Sequence, residues 1–391
     1  MRLLHTADWH VGKRLKGESR LAEHEAVLAE IVALADGERV DAVIVAGDLF
    51  ESAAPPPDAQ ALVWRTLMDL RDTGAHVVVI AGNHDNPAAI EALRPFTTPL
   101  GIVTAGHVRP VADGGVAELT TRSGESLRVA LLPFLSQRWV VKAAELMAPG
   151  AAASDYALAY AGRMAQLCGH LATAFRPDAV NVITSHCFVR GGTAGGGERE
   201  AQNVEDYWVD AAAFPGSTHY VALGHLHRTQ QIAGGCPIWY PGSPIQVDFG
   251  EERDTKHVLL VDATPTIPAA VTPHRLTSGW RLATVAGTLD ELEAQAAGGI
   301  LDDAWLRVIV REPARAGLAD TVRRLFPRAV EIRLEHLAPA EDGNGTTRPS
   351  RRGRGATELF GEFMAEQGVD DDDVRALFAE LYHDATTGDA A

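Results

Sequence analysis

The stretch from Asp41 to Phe50 constrains the fold more than any other part of this 391-residue chain. Its letters are DAVIVAGDLF, so an apolar, β-branched run ends abruptly at Gly47 and Asp48. Runs of this kind are typical of strands buried on both faces of a parallel sheet. The residue after such a strand lies at the carboxyl edge of the sheet, where ligands of α/β proteins bind. We therefore expect Asp48 to lie in a functional site, where two metal ions share its carboxylate.

The same arrangement, an apolar run that closes on a ligand-type side chain, recurs four more times along the chain. The segments are LLHTADWH at 3–10, VVVIAGNHD at 77–85, VNVITSH at 180–186 and YVALGHLH at 220–227. Each signal is weak alone, because a single histidine or aspartate after a strand is common. Together, and in this order, they predict that five strand ends converge on one site.

Composition limits the class of protein. Apolar residues make up 46% of the chain and charged residues 22%, as in soluble globular proteins. The sequence contains no uninterrupted apolar run of the ~18 residues that a membrane helix needs, so we expect no membrane partner and a cytoplasmic location. The formal net charge of −17 argues against a protein that holds DNA through a basic face alone. Divalent cations and a partner would have to supply the positive field.

The chain is long enough for more than one domain. Alternating strands and helices at its start predict a parallel sheet, and later apolar runs supply a second sheet stacked on the first. The composition changes near 272–279, and beyond it the pattern predicts a small α/β unit. The predicted segments are a main domain (1–274), this small unit (275–339), a flexible linker (340–355) and a pair of short amphipathic helices (356–385).

Two segments have alternative interpretations. The loop after the first strand is basic, and either contacts phosphates or forms an ordinary solvated surface; its charged residues are Lys13, Arg14, Lys16 and Arg20. The two terminal helices cannot bury their apolar faces well on their own, so they need another surface. We expect that surface to belong to a separate protein, and the alternative is docking back onto this chain.

With these motifs in view, the sequence resembles the calcineurin-like metallophosphoesterase superfamily over roughly residues 1–262, and within it the SbcD nuclease-subunit family. The features that favour SbcD over the protein phosphatases are the DWH opening at 8–10, DLFE at 48–51, GHLH at 224–227 and YPGSP at 240–244. The resemblance implies an α/β fold, with a two-sheet sandwich flanked by helices, a small capping domain at 275–339 and a C-terminal helix pair that grips a coiled-coil ATPase.

The resemblance also implies the ligands of two metal ions, with Asp48 bridging them. One ion would be held by Asp8, His10, Asp48 and His227, and the other by Asp48, Asn83, His186 and His225. Mixed nitrogen and oxygen ligands fit Mn²⁺, Fe²⁺ or Zn²⁺ better than Mg²⁺. Mn²⁺ is our first choice, partly because the resemblance implies it. Two such cations would activate a water and stabilise the attacking and leaving oxygens of a displacement at phosphorus.

Two residues of the 77–85 segment are predicted to be catalytic. His84 is not needed for coordination, so it is free to protonate the leaving oxygen or stabilise the transition state. Asp85 could hold the His84 ring in the right tautomer. The alternative for both side chains is structural support of the metal ligands.

The resemblance implies a DNA nuclease that acts as an exonuclease on duplex ends and as an endonuclease on single strands or hairpins. It also implies a homodimer within a heterotetramer containing two SbcC-type ATPase subunits that gate the site. The chain has no Gly-x-x-x-x-Gly-Lys-Ser/Thr sequence, so ATP would be hydrolysed by the partner. Two alternatives stay open: a self-sufficient phosphodiesterase for a small substrate such as a cyclic nucleotide, and a non-catalytic scaffold.

Overall fold

The computed structural model describes residues 1–136, 160–195, 208–299, 303–313, 315 and 317–335, together with 360, 361, 364, 374, 375, 377 and 378. The chain forms two compact units, Met1–His336 and Leu337–Ala391. The predicted linker at 340–355 lies outside the described residues, as does most of the helix pair predicted at 356–385.

The first unit contains six α-helices within its described residues. They cover Leu21–Gly37, Pro57–Asp72, Pro87–Thr97, Tyr160–Leu171, Leu289–Ala297 and Leu318–Leu325. None of the described helices is long and apolar enough to cross a membrane.

The first sheet has six strands and contains the N-terminal segments singled out above. In spatial order its strands are Ile267–Arg275, His257–Thr264, Arg2–Thr6, Ala42–Val45, His76–Ile80 and Ile102–Ala105. The last four strands are parallel, as the alternation of strands and helices predicts. Their carboxyl ends therefore lie at one edge of the sheet.

The second sheet also has six strands. In spatial order they are Gln230–Ile232, Ile238–Tyr240, Tyr220–Gly224, Ala179–His186, Ser126–Leu132 and Val116–Thr120. The two central strands are parallel and paired so that Gly224 lies opposite His186. This register brings His186, at the end of one strand, and His225, directly after the other, to the same edge of the sheet.

The alternation of side chains along the strands builds three apolar layers. Leu3, Ile44 and Val78 of the first sheet pack with Val129 and Val182 of the second in the layer between the sheets. The opposite face of the first sheet packs against the helices Leu21–Gly37 and Pro57–Asp72, and that of the second against Tyr160–Leu171. The predicted two-sheet sandwich flanked by helices is confirmed.

Residues 281–334, called the capping unit below, form a third sheet with its own core. Its parallel strands are Arg281–Gly287, Ala304–Val310 and Ala329–Leu334, and two helices cover it. It packs against the main domain through a small apolar cluster in which Leu15 and Phe249 meet Leu282. Leu15 belongs to a two-stranded hairpin formed by Arg14–Leu15 and Glu18–Ser19. The basic loop is thus part of the contact with the capping unit.

Few residues of the second unit are described. Phe360, Met364 and Phe378 are helical, and the rings of Phe360 and Phe378 are stacked with centroids 3.9 Å apart. Met364 is buried, whereas Leu377 is 55% exposed. Helical conformation at these positions agrees with the amphipathic pattern of the sequence.

Candidate metal centre

The backbone is strained where the strands end. Six described residues other than glycine have a positive φ, and four of them are Asp8 (53°), His10 (48°), Asp48 (51°) and His225 (110°). A non-glycine residue in this region costs roughly 1–3 kcal/mol, so such residues persist where the surrounding structure enforces them. The strain thus falls in three of the five segments that present ligand-type side chains.

Backbone hydrogen bonds hold two of these strand ends together. The N–H of Asp8 donates to the carbonyl of Gly47, and the N–H of His10 donates to the carbonyl of Asp48, both at 3.0 Å. The two loops therefore continue the pairing of their parallel strands beyond the sheet. This pairing fixes the side chains of Asp8, His10 and Asp48 relative to one another.

Glycine is required where the edges of the two sheets approach each other. Gly47 has φ +92°, and a Cβ there would collide with Nδ1 of His186. A Cβ on Gly224 would collide with the carbonyl oxygen of Ala46. The small residue that precedes the ligand in these segments thus allows the two sheets to share one site.

One group of donors consists of Asp8, His10 and His227, all buried, whose ligand atoms lie within 4.8 Å of one another. Nε2 of His10 lies 3.1 Å from Nε2 of His227. Oδ2 of Asp48 lies 3.7 Å from Nε2 of His10. The four side chains predicted to hold one ion are therefore brought together.

The second group is centred on the side-chain oxygen of Asn83. This Oδ1 atom lies 2.9 Å from Nε2 of His186 and 3.0 Å from Nδ1 of His225. Oδ2 of Asp48 lies 3.4 Å from the same Nε2 of His186. The four side chains predicted to hold the other ion also meet, and Asp48 is the residue common to both groups.

The chemistry of the second group fits a cation. Nδ1 of His186 donates to the carbonyl of Ala46 at 2.8 Å, so in the neutral ring Nε2 carries no proton and has a free lone pair. That lone pair faces Asn83 Oδ1, which is also an acceptor. Two acceptors at this distance require a proton or a metal ion between them. Imidazole nitrogens with carboxylate and amide oxygens suit divalent transition metals such as Mn²⁺ or Zn²⁺.

Charge in the site is dominated by the buried carboxylates and imidazoles. Burial opposes ionisation of Asp48, but the neighbouring His186, His10 and His84 rings outweigh it and hold the pKa of Asp48 well below its usual range. Burial also opposes the charged form of His186, yet the Asp48 and Asp8 carboxylates raise the pKa of His186 to about 9, so a proton or a metal cation is favoured at its Nε2. Asp48 is therefore an anion positioned between cationic or metal-binding groups.

Sequence analysis missed the residue that orients His227 and did not foresee a carboxylate close to the His10 ring. The buried Glu251 carboxylate lies 2.9 Å from Nδ1 of His227, and its other oxygen accepts a 2.6 Å hydrogen bond from Lys256. Glu51 Oε2 lies 3.1 Å from Nδ1 of His10, but the two atoms are not aligned for a hydrogen bond. A carboxylate behind a ligating histidine fixes the tautomer and makes the other nitrogen a better ligand.

His84 lies at the edge of the site. The backbone N–H of His84 donates to Oδ1 of Asp48 at 2.8 Å, and Nδ1 of its ring donates to the carbonyl of Glu51 at 2.7 Å. The ring meets that of His10 edge-on, with centroids 4.7 Å apart. A ligand atom of His84 also lies within 4.8 Å of those of His10 and Asp48, so its position suits either proton transfer or coordination.

The orienting role predicted for Asp85 is corrected by its contacts. Its carboxylate accepts the backbone N–H groups of Gly82 (2.8 Å), Phe50 (3.0 Å) and Leu49 (3.3 Å). Nδ1 of His84 is held instead by the carbonyl of Glu51. Asp85 thus connects the loops after two strands. It accepts buried backbone N–H groups that would be costly to leave unpaired.

One residue of the basic loop, Arg20, fits neither the phosphate contact nor the solvated surface considered above. This side chain is buried, forms a two-point ion pair with Glu23 and donates to the carbonyl of Gln246. Lys13 pairs with Glu51 at 2.8 Å, and Lys16 lies 3.5 Å from Glu331 of the capping unit. Arg20 therefore stabilises the fold and is not presented to a ligand.

The fourth charged residue of the loop, Arg14, differs from Arg20 in its exposure to solvent. Arg14 is exposed and donates to the carbonyl of Gly17 within the hairpin. Its guanidinium group is accessible to solvent, unlike that of Arg20. Arg14 therefore keeps the predicted role as a candidate phosphate contact.

Comparison with known proteins gives agreement over almost the whole chain. The calcineurin-like phosphoesterase family matches residues 1–128. The SbcD subunit of the SbcCD nuclease of Bacillus subtilis (strain 168) is 34% identical over 390 residues, which cover 97% of each chain. The protein of the same name from Escherichia coli (strain K12) is 34% identical over 280 residues, covering 67% of this chain and 64% of its own length. That of Rhodobacter capsulatus is 33% identical over 274 residues, covering 67% and 66%.

These similarities agree with the site. The calcineurin-like match includes Asp8, Asp48 and Asn83, and the B. subtilis similarity extends through the strand ends that carry His186 and His227. The donor groups gathered there are those of a site for divalent metal ions. The chain is therefore a metal-dependent phosphoester hydrolase that belongs to the SbcD family of nuclease subunits.

Proposed function

We propose that this chain is the nuclease subunit of a DNA repair complex and hydrolyses DNA phosphodiester bonds with two Mn²⁺ ions. The observation that carries the proposal is the pair of donor groups joined by Asp48, whose Oδ2 lies 3.7 Å from His10 Nε2 and 3.4 Å from His186 Nε2. A shared carboxylate between two ligand sets is the arrangement that suits two ions acting on one phosphodiester. The relatives' name, nuclease, supports DNA as the substrate.

The ligands proposed for one ion are Asp8, His10, Asp48 and His227, and those for the other are Asp48, Asn83, His186 and His225. Bound there, the ions would supply Lewis-acid activation of the phosphate and a nucleophilic water. The protein supplies orientation: the strained turns and the shared backbone pairing keep the donors in place before the substrate arrives.

His84 is the proposed general acid. Its Nδ1 is occupied by the Glu51 carbonyl, so proton transfer would use Nε2. Its backbone N–H is held by Asp48, which couples the position of the acid to that of the bridging carboxylate. A protonated His84 would deliver its proton to the oxygen of the departing nucleotide strand.

The proposed assembly contains two copies of this chain and two SbcC-type ATPase subunits. The relatives are named as one component of the nuclease SbcCD, which supports a second kind of component in the complex. The helical positions at Phe360 and Phe378, with Leu377 55% exposed, support the 356–385 segment as the partner-binding element. ATP binding by the partner would control when duplex ends and hairpins can reach the metal site.

Cleavage of end-labelled DNA tests this proposal. The purified chain is incubated with Mn²⁺ and linear duplex, single-stranded or hairpin DNA, with and without the ATPase partner and ATP. We expect Mn²⁺-dependent cleavage that requires His84 and changes with partner and ATP. An assembled complex that leaves all three DNAs intact while hydrolysing cyclic nucleotides would contradict the proposal and favour a small-substrate phosphodiesterase.

A further inference from the structure

Buried polar contacts join the capping unit to the metal centre on the side of His227. The N–H of Leu282, in the first capping strand, donates to the side-chain oxygen of Gln246 at 2.5 Å. The Gln246 amide donates in turn to the carbonyls of Glu251 (2.9 Å) and Asp254 (3.0 Å). The Glu251 side chain then reaches the His227 ring. One glutamine therefore links a capping strand to the backbone of the residue behind a metal ligand.

The Glu251 side chain is fully buried, and partners fix both of its oxygens. One oxygen lies 2.9 Å from Nδ1 of His227. The other accepts from Lys256 Nζ at 2.6 Å and from the N–H of Val247 at 3.2 Å. Lys256 also donates to the carbonyl of His227 at 3.0 Å, so the same ammonium group holds both the carboxylate and the histidine backbone.

We propose that Glu251 is a positioning residue for His227, and that Gln246 makes metal affinity at His227 depend on the docking of the capping unit. This inference rests on the proposed function only in taking His227 as a metal ligand. A carboxylate that accepts the Nδ1 proton keeps the Nε2 lone pair directed at the site. Separation of the capping strand would release Gln246 and loosen the segment that carries Glu251.

The effect is specific to one of the two ions. His186, in the other donor group, is oriented by the carbonyl of Ala46, and Asn83 lies between His186 and His225. None of these three contacts involves Glu251, Lys256 or the capping unit. The contacts from Leu282 through Gln246 and Glu251 to His227 are called the relay below. The two ions should therefore respond differently when these contacts are removed.

Titration of the full-length chain with Mn²⁺, followed by the EPR signal of the free ion in the absence of DNA, tests the relay. Wild type is expected to bind two ions. Glu251→Gln should weaken one site by about 10–100-fold and leave the other unchanged, as loss of a histidine-orienting carboxylate does. Gln246→Ala should weaken the same site by a smaller factor. Gln295→Ala, an exposed glutamine of a capping helix, is the matched control and should bind as wild type does.

Removal of the Glu251 charge leaves Lys256 buried without its anion, so Glu251→Gln is compared with the charge-balanced variant Glu251→Gln with Lys256→Met. The relay predicts the same selective loss in both. Gln246→Ala removes no charge, so it still decides whether the site depends on the capping unit if neither Glu251 variant folds. Two wild-type affinities in the folded double variant, or in Gln246→Ala, would overturn the corresponding half of the inference.

The outcome separates this inference from the proposed function. Selective weakening of one site in the variants, with a wild-type assembled complex that leaves DNA intact, would contradict the nuclease proposal and leave the relay standing. A wild-type chain that cleaves DNA, with both ions unaffected by Glu251→Gln, would contradict the relay alone. Wild type that binds a single ion, with an affinity that Glu251→Gln lowers, would contradict the two-ion proposal and leave Glu251 as a positioning residue.

Discussion

The Nε2 atoms of His10 and His227 lie 3.1 Å apart, although 217 positions separate these residues in the chain. The Nδ1 atom of each ring lies close to a carboxylate, 3.1 Å from Glu51 for His10 and 2.9 Å from Glu251 for His227. With both Nδ1 atoms protonated, the two Nε2 lone pairs face the same region, which is how two histidines ligate one cation. The fold brings the first and fifth strand ends together to form this pair.

Asp48→Asn tests the bridging role of the carboxylate. We expect the variant to lose both ions at Mn²⁺ concentrations that saturate wild type, and to hydrolyse a chromogenic phosphodiester more than about 100-fold more slowly, a larger loss than removal of an outer-shell group gives. The reason is that Oδ2 of Asp48 is close to the histidines of both donor groups. Asp72→Asn, at an exposed aspartate, is the control. Retention of both ions would rule out a bridge.

His84→Ala separates proton transfer from coordination. If His84 is the general acid, the variant should keep two Mn²⁺ ions and lose roughly 10²–10⁴-fold in the rate of DNA hydrolysis. Metal stoichiometry and single-turnover cleavage are measured on the same preparation, with His76→Ala at the opposite end of the strand as control. Loss of one ion would make His84 a ligand, in agreement with its distance from His10 and Asp48.

Asp85→Ala is expected to act on stability. Three backbone N–H groups would lose their acceptor, and each unsatisfied buried donor costs about 1–3 kcal/mol. The free energy of unfolding in urea should therefore fall, and Asp85→Asn, which keeps one acceptor oxygen, should lose less. A variant of unchanged stability whose rate matches that of His84→Ala would restore the orienting role.

Arg20 and Arg14 should behave differently although both belong to the basic loop. Arg20→Ala leaves Glu23 buried without its cation and should lower stability by about 3–5 kcal/mol. Arg14→Ala should leave stability unchanged and weaken DNA binding, with a shallower dependence on salt. Urea unfolding and fluorescence anisotropy at several salt concentrations measure the two effects. Equal DNA affinity in wild type and Arg14→Ala would show that the loop does not contact phosphates.

The strand ends could be predicted from the sequence because their signal is local. An apolar run followed by glycine or alanine and a ligand-type residue identifies both the strand and its open end, as at Asp48 and His225. The sandwich follows from the same runs, since buried parallel strands need layers on both faces. The candidate ligands are therefore gathered as expected.

The residues behind the ligands carry no such signal. Glu251 lies in a short 3₁₀ segment and Lys256 just before a strand, and charged residues in such positions are usually exposed. Their burial depends on His227, 24 positions from Glu251, and so on tertiary structure. For Arg20 a local signal did exist: Glu23, three residues later on the following helix, is placed for an ion pair.

The site as a whole is tested most directly by crystals soaked in Mn²⁺ and measured near the manganese absorption edge. Our account predicts two anomalous peaks, one among Asp8, His10 and His227 and one among Asn83, His186 and His225, with Asp48 between them. A single peak, or two peaks that do not share Asp48, would contradict it.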